Sequence, residues 1–225
     1  MKLNNKRTIL VGLAFLSICA FWQMYDRIVP LILTKTFHMN ETFSGAIMAA
    51  DNILALFLLP FFGSVSDKSH SKLGKRMPFI LFGTGCAIIL MNSLPLLDNR
   101  YAAQPSGLKT ASFVIVLGLL LVAMGTYRAP AVALMPDVTP KPLRSRANAI
   151  INLMGAVGGI LYLGVAAVLY PNSKTAGLDH VNYQPLFIVV SAIMFVAVAV
   201  LFLTIREPKL TAENQALEKQ HPEWN

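Results

Sequence analysis

Six long apolar segments, separated by short polar ones, make up nearly the whole chain. Each is long enough to cross the hydrocarbon core of a bilayer as a helix, which takes about 20 residues. The first segment is too long for a cleaved signal peptide, and no small-residue cleavage site follows it. The pattern predicts an all-α membrane protein whose residues 1–205 form a six-helix transmembrane bundle. The predicted helices span residues 8–33, 42–64, 78–97, 110–135, 146–170 and 184–205.

The charged residues indicate how the bundle is oriented. Lys and Arg are concentrated at the N-terminus, in the loops after the second and fourth helices, and in the polar segment 206–225. Because cytoplasmic loops carry the excess of basic residues, both termini are predicted to be cytoplasmic. Residues 206–225 are then expected to be a charged cytoplasmic tail. We expect the protein to lie in the plasma (inner) membrane.

Composition supports a membrane protein over other classes. Apolar residues make up 55% of the chain and charged residues 13%, and mean hydropathy is +0.58, outside the range of ordinary soluble domains. The net charge of +8 is spread over short loops, so it does not indicate a nucleic acid partner. Cys19 and Cys86 lie in apolar segments, and the four histidines lie in predicted loops or the tail. We therefore expect neither a metal site nor a cofactor nor an enzyme.

Several polar residues lie inside the predicted helices, where a charged side chain costs about 2.5–3.5 kcal/mol. They fall on the first, second, fourth and fifth helices and are the candidate substrate-binding or coupling residues: Trp22, Gln23, Asp26, Arg27, Asp51, Asn52, Tyr127, Arg128 and Asn152. Acids, an arginine and aromatic faces together suit a polar cavity for a hydroxyl-rich solute.

The helical repeat gives expectations about contacts between these residues. Asp26 and Asp51 lie at similar depths on antiparallel neighbours, so we expect Arg27 to pair with Asp51 and Arg128 to reach toward Asp26. Gln23 and Asp26 share one face. A purely structural Arg27–Asp51 pair, or hydration of Asp26 and Arg27 near the outer interface, is the alternative to cavity lining. Trp22 and Tyr25 alone would be ordinary packing or interface aromatics.

The fifth helix has a face of small residues, Gly155, Gly158 and Gly159. Close packing of two helix backbones explains it fully, and a moving interface between two halves is the alternative.

A polar hairpin joins the second and third helices. Residues 63–67 are GSVSD, and residues 74–79 are GKRMPF. Glycine permits the tight turn, Asp67 offers an acceptor to a helix N-terminus, and the basic pair stays in water. This hairpin resembles the signature loop of the major facilitator superfamily. Its longer insert resembles that of the glycoside–pentoside–hexuronide:cation symporters and the related sucrose/glycoside transporters, and residues 130–140 with 144–149 are similar to that branch at the fourth and fifth helices.

The resemblance implies a transporter of twelve helices in two six-helix halves, with substrate between the halves near mid-membrane. This chain is similar to the N-terminal half, and residues from 206 onward resemble the start of the loop joining the halves. A second half would be a continuation, a separate chain or a homodimer partner. The resemblance implies a cytoplasmic gate formed by Gly63, Asp67, Gly74, Lys75, Arg76, Asp137, Arg144 and Arg146. The alternative is that the charged residues of this set only fix the topology of the loops.

Departures from the branch bear on the coupling ion. Where sodium-using members carry two carboxylates, this chain has Ala55 and Leu59, and it has Arg128 where they have a further acid. A sodium site needs oxygen ligands and is repelled by arginine, so we expect no Na⁺ site. Proton coupling through Asp26 or Asp51, modulated by Arg128, is the better hypothesis. The basic sugar ligand of the fifth helix is not matched, and Asn152 is the nearest polar residue.

These observations lead to one functional hypothesis and two alternatives. We expect a secondary active transporter, a proton-coupled symporter of a sugar or glycoside, whose other partners are membrane lipids and a second six-helix half. One alternative is a transporter of an amphipathic solute such as a lysolipid. The other is a non-transporting half of a membrane assembly.

Overall fold

The computed structural model describes residues 3–175, 177–178 and 180–224, and these residues are almost entirely helical. Six of the helices are long and apolar enough to cross a membrane, which confirms the predicted all-α bundle. Two further helices are shorter: α6 is a single turn between α5 and α7, and α8 follows α7. The helices are α1 (Asn5–Leu31, extended by a π-helical turn, Ile32–Thr36), α2 (Glu41–Asp67), α3 (Met77–Ala103), α4 (Gly107–Asp137), α5 (Arg144–Leu169), α6 (Asn172–Thr175), α7 (Gln184–Thr204) and α8 (Glu207–Gln220).

The interior of the bundle is built around α1. Its buried residues include Phe21, Tyr25 and Val29, and it packs most extensively against α5 and α7. The other main contacts are α3 with α4, α2 with α4, and α3 with α7. In contrast, Ser44 and Ser66 are the buried residues of α2, which leaves most of that helix exposed along its length.

Helix α3 differs most from its predicted bounds, ending at Ala103 rather than at residue 97. Asp98, expected in a loop, is fully buried within the helix. The chain before α7 folds back over it: His180 Nδ1 lies 3.9 Å from Asp98 Oδ2 and 3.2 Å from Thr36 Oγ1, and His180 Nε2 lies 2.9 Å from Asn99 Oδ1. Tertiary contacts therefore extend the helix past residues that favour a turn.

The glycines of α5 allow α1 and α5 to touch. A Cβ atom at Gly158 would overlap the carbonyl oxygen of Leu16, and one at Gly155 would lie 2.9 Å from Cys19 Sγ. On α1, a Cβ atom at Gly12 would lie 2.7 Å from Met154 Cγ. These contacts agree with the close-packing interpretation of the small-residue face, since close backbone approach is what small residues permit.

Helix α8 docks on the end of the bundle that carries both termini, called the terminus end below. The Glu207 carboxylate accepts hydrogen bonds from the backbone N–H groups of Lys75 (2.7 Å), Arg76 (2.9 Å) and Met77 (2.8 Å). These amides lie at the start of α3, where helical N–H groups lack partners within the helix. Burial raises the pKa of Glu207, and the hydrogen bonds from these amides act against that rise.

The preceding turn is shaped to admit Glu207. Gly74 has φ +114°, a left-handed conformation, and a Cβ atom there would overlap the Glu207 carboxylate. Further along α8, Asn214 Nδ2 donates to the carbonyl oxygen of Asp137 at 3.2 Å, and Glu218 Oε1 pairs with Arg144 Nη2 at 2.9 Å. Helix α8 thus bridges the start of α3 and the segment between α4 and α5.

The glycine contact can be tested by Gly158→Ala. The added methyl group has no room against the α1 backbone, so we expect a loss of about 1–3 kcal/mol in stability, measured as a lower thermal midpoint of the purified protein. Gly164→Ala on the same helix is the control, because no atom lies within 4 Å of a Cβ there. Equal midpoints for the two variants would contradict the close contact.

The docking of α8 can be tested by Glu207→Ala. Leaving the buried amides at the start of α3 without an acceptor costs about 1–3 kcal/mol for each such group. We expect faster hydrogen exchange in residues 207–220 and at residues 75–77. Glu213→Ala, an exposed position on the same helix, should leave this exchange unchanged. Unaltered protection in the Glu207 variant would show that α8 is held by other contacts.

Candidate functional site

A small cavity lies between α1, α2 and α4 within the membrane-spanning part of the bundle. Trp22, Asp51 and Arg128 contribute its polar groups, and leucines from α2 and α4 form much of the remaining wall. The Arg128 guanidinium carbon lies 5.6 Å from the centroid of the Trp22 ring, a cation–π arrangement. The charges of Arg128 and Asp51 interact across the same space.

Two buried polar atoms belong to the lining of this cavity. Within the described residues, Trp22 Nε1 and Asp51 Oδ1 have no hydrogen-bond partner. Buried polar atoms are nearly always hydrogen-bonded, and unpaired ones need a specific explanation. At about 20 Å³ the cavity admits one water-sized group, such as a single hydroxyl, which can both donate and accept.

Aromatic packing holds Trp22 in position. Its ring meets the rings of Phe21 and Tyr25 edge-on, with centroids 5.3 and 5.2 Å away. The Tyr25 hydroxyl is buried and also has no hydrogen-bond partner in the described part of the chain. The indole is therefore fixed by its neighbours, which makes it a rigid surface for a ligand ring.

Two expected charge contacts are wrong. Arg27 lines a separate groove with Tyr162 of α5, and among the described residues no ion pair within 4 Å joins it to Asp51. Arg128 lies beside Asp51 and Trp22 and does not pair with Asp26. The helical repeat gave the depths of these residues but not the rotation of α1, which turns Arg27 toward α5.

Asp26, Gln23, Asn52 and Asn152 lie outside the small cavity. Asp26 is exposed, and Gln23 is half-buried, with its Cγ atom 3.5 Å from where a Cβ of Gly159 would lie. The charge of Asp26 interacts with that of Asp51. Asn52 on α2 and Asn152 on α5 are also exposed.

Tyr127 does not line the cavity. Its side chain is fully buried, its hydroxyl donates to the carbonyl oxygen of Ala14 at 2.9 Å, and it also contacts the hydroxyl of Ser17. The backbone of Gly83 approaches so closely that a Cβ there would lie 2.7 Å from Tyr127 N. The structure thus corrects the prediction of a ligand contact: Tyr127 fastens α4 to α1 and α3.

Two apolar residues stand where sodium-using members of the branch carry carboxylates, and both line the same cavity. Ala55 and Leu59 form part of the wall near Asp51 and Arg128. In the part of the chain that the structure describes, no group of three or more His, Cys, Asp or Glu residues is placed to hold a metal ion.

The second polar cluster lies at the terminus end and is centred on Arg76. This buried side chain donates from Nε to Asp137 Oδ2 at 2.8 Å, forms an ion pair with Asp67, and reaches the carbonyl oxygen of Gly63 at 3.3 Å and the Ser66 hydroxyl. Burial alone would lower the pKa of Arg76, but the hydrogen bonds and charges of Asp137 and Asp67 outweigh it and raise that pKa. One guanidinium therefore ties the ends of α2 and α4 to the start of α3.

The other predicted gate residues have different positions. Arg144 binds the carbonyl oxygens of Thr139 and Pro136 at 3.1 and 3.0 Å, in addition to Glu218. Arg146 and the Lys75 side chain are exposed. Arg144 thus belongs to the docking of α8 rather than to the Arg76 cluster.

The sequence analysis does not predict the contacts made by residues of α8 and of the end of α2. Glu207, Asn214 and Glu218 were treated as part of a charged tail, and Ser66 as part of a turn. A signal was present for α8, since an acidic residue followed by Pro208 is typical of a helix start.

The sequence is similar to those of several known transport proteins. The chain is 34% identical over 145 residues to sucrose transport protein SUC3 of Arabidopsis thaliana, covering 59% of this chain and 24% of that protein. It is 36% identical over 141 residues to sucrose transport protein SUT3 of Oryza sativa subsp. indica, covering 56% and 28%. It is 26% identical over 186 residues to human solute carrier family 45 member 3, covering 81% and 34%.

The chain therefore spans about a quarter to a third of the length of the curated relatives it matches. A family profile described as Major Facilitator Superfamily matches residues 11–224, nearly the whole sequence. With six membrane helices, a turn of the superfamily type after α2 and this match, the chain belongs to the major facilitator superfamily.

Proposed function

We propose that the chain is the N-terminal half of a secondary active transporter that couples uptake of a sugar or glycoside to protons by alternating access. The observation that carries the proposal is the cavity of Trp22, Asp51 and Arg128, with unpaired polar atoms inside the membrane-spanning region. The names of the two plant relatives support a sugar as the transported solute.

Exposed polar residues on three membrane helices support the need for a second six-helix half. Asp26, Asn52 and Asn152 are exposed on helices that cross the membrane. Facing lipid, a charged residue costs about 2.5–3.5 kcal/mol on insertion scales. A second bundle covering α1, α2 and α5 would remove this cost and would enclose a watery crevice that includes Asp26 and Asp51.

The groups around the cavity suit a sugar, and the cavity, about 20 Å³ in this conformation, would widen to admit a sugar ring. A carboxylate accepts from sugar hydroxyls, an indole N–H donates to a ring or hydroxyl oxygen, and an indole face packs against the apolar face of a pyranose. The leucine walls also favour a second candidate, an amphipathic solute such as a lysolipid, whose chain they would contact.

Proton coupling is assigned to Asp26 and Asp51. Protonation of Asp51 would remove its attraction to Arg128 and its repulsion of Asp26, so one proton would change the charge balance of the whole cavity. Arg128 would then be free to contact solute or a carbonyl oxygen.

The Arg76 cluster is proposed as the cytoplasmic gate. Its ion pairs close the terminus end by joining α2, α3 and α4, and they would break when that end opens. Arg76 is buried, whereas the Asp67 side chain is exposed and that of Asp137 is half-buried. Separating the pairs would leave a buried cation without a partner unless water replaces the lost contacts, which suits a switch.

Coupling can be tested with Asp51→Asn in proteoliposomes that contain the assembled transporter. A pH gradient, acidic outside, should drive accumulation of labelled sucrose or a glycoside in the wild type. The variant cannot exchange a proton at this position, so we expect accumulation to fall by at least about tenfold while exchange at equilibrium persists. Glu41→Gln, an exposed acid at the start of the same helix, is the control.

Accumulation by Asp51→Asn equal to that of the wild type would exclude Asp51 as the coupling residue. Saturable uptake of a lysolipid, with no uptake of any sugar tested, would favour the amphipathic solute.

The gate can be tested with Arg76→Ala in a background of Cys19→Ser, Cys86→Ser and Asn152→Cys. Loss of the guanidinium separates α2 from α4 at the terminus end, so a water-soluble maleimide added from that side should label residue 152 several-fold faster. Lys72→Ala, an exposed cation in the same loop, should leave the rate unchanged. A rate in the Arg76 variant equal to that of the control would mean that the cluster only sets topology.

A further inference from the structure

A basic groove lies at the terminus end, between the start of α1 and the junction of α7 with α8. Its cationic members are Lys6, Arg7, Arg206 and Lys209. Among the described residues, the nearest acid to any of them is Glu213, 3.9 Å from Lys209, and the other three cations have no carboxylate within 4 Å. The groove therefore holds an uncompensated positive charge.

The positive end of α1 adds to this charge. The first turn of α1 carries no acidic residue, and Asn4 caps it by accepting from the backbone N–H of Arg7 at 3.1 Å. Because the helix dipole is positive at its N-terminus, an anion in the groove would be attracted by the backbone as well as by the side chains. The volume of the groove, about 400 Å³, is more than ten times the share of one water molecule in the liquid, about 30 Å³, so it admits a phosphate group.

An apolar groove continues from the basic one along the same pair of helices. Leu10 and Thr204 line the basic groove, and Leu13 and Val200, one turn deeper on each helix, line the apolar groove. Deeper still, the apolar groove includes the exposed Ala192, and in the described residues its lining is entirely apolar. The seam between α1 and α7 thus passes from cationic to hydrocarbon-like at the level where the membrane helices begin.

We propose that this seam binds one anionic phospholipid, with its phosphate headgroup in the basic groove and an acyl chain in the apolar groove. Charge complementarity selects an anionic over a zwitterionic headgroup, since several cations here face a single acid. The apolar groove selects a lipid over a soluble phosphate, which would leave that surface uncovered. The lipid would join α8 to α1, and the site does not depend on which solute is transported.

The test compares lipid retention by native mass spectrometry of the purified full-length transporter. Phosphatidylglycerol and phosphatidylcholine are added in equal amounts to the wild type and to an Arg206→Gln/Lys209→Gln variant. We expect selective retention of phosphatidylglycerol by the wild type, weakened about tenfold in the variant. The Lys68→Gln/Lys219→Gln variant has the same net charge, changes two exposed lysines that do not line the groove, and should retain the lipid as the wild type does.

A second variant separates a lipid from a soluble anion. Ala192→Trp fills the apolar groove and leaves the cations in place, so it should weaken phosphatidylglycerol retention and leave any binding of glycerol phosphate unchanged. The proposal is overturned if phosphatidylcholine is retained equally, if both charge variants behave alike, or if glycerol phosphate competes as well as the lipid. Lys6→Gln, on the opposite wall of the groove, provides an independent check should the double variant be unstable.

Discussion

Hydrocarbon gives a buried polar group no water to bond with, and this constraint organises the bundle. The polar side chains of the membrane-spanning helices are placed in three ways. Some are paired inside the bundle, as Tyr127 is with Ala14 and Ser17. Others gather around the cavity of Trp22, Asp51 and Arg128, and Asp26, Asn52 and Asn152 are exposed on the outside of the bundle. The first group holds the helices together, and the other two define where a solute would bind.

The fold was largely predictable, because each membrane helix is a long, predominantly apolar segment bounded by polar residues. What could not be predicted is which way each helix is turned. Arg27 and Arg128 were assigned to the wrong partners, and Tyr127 to a cavity wall, since depth along a helix follows from residue number but rotation depends on packing contacts. Such contacts of α1 include the close approach of Leu16 to Gly158 of α5 and the hydrogen bond of Ala14 with Tyr127 of α4.

Charged residues at the helix ends were harder to interpret than those inside. Asp98 looked like a loop residue but is enclosed by Thr36, His180 and its own helix, while Glu207 looked like part of a tail but caps the start of α3. In both cases the partner is distant in sequence, and the local pattern of charges contains no trace of it. The branch resemblance singled out Arg76, whose partners Asp67 and Asp137 belong to the same two motifs.

The contacts that fix α2 in the bundle have a mechanical consequence. Ser44 and Ser66 are the only described residues of this helix that are buried, and its packing is mainly against α4, whereas the Arg76 guanidinium contacts three residues of its last turns. Displacing its inner end would thus require breaking a few polar contacts rather than remodelling a tightly filled interior. Among the six spans, α2 is the one best suited to swing as a rigid rod about its attachment to α4.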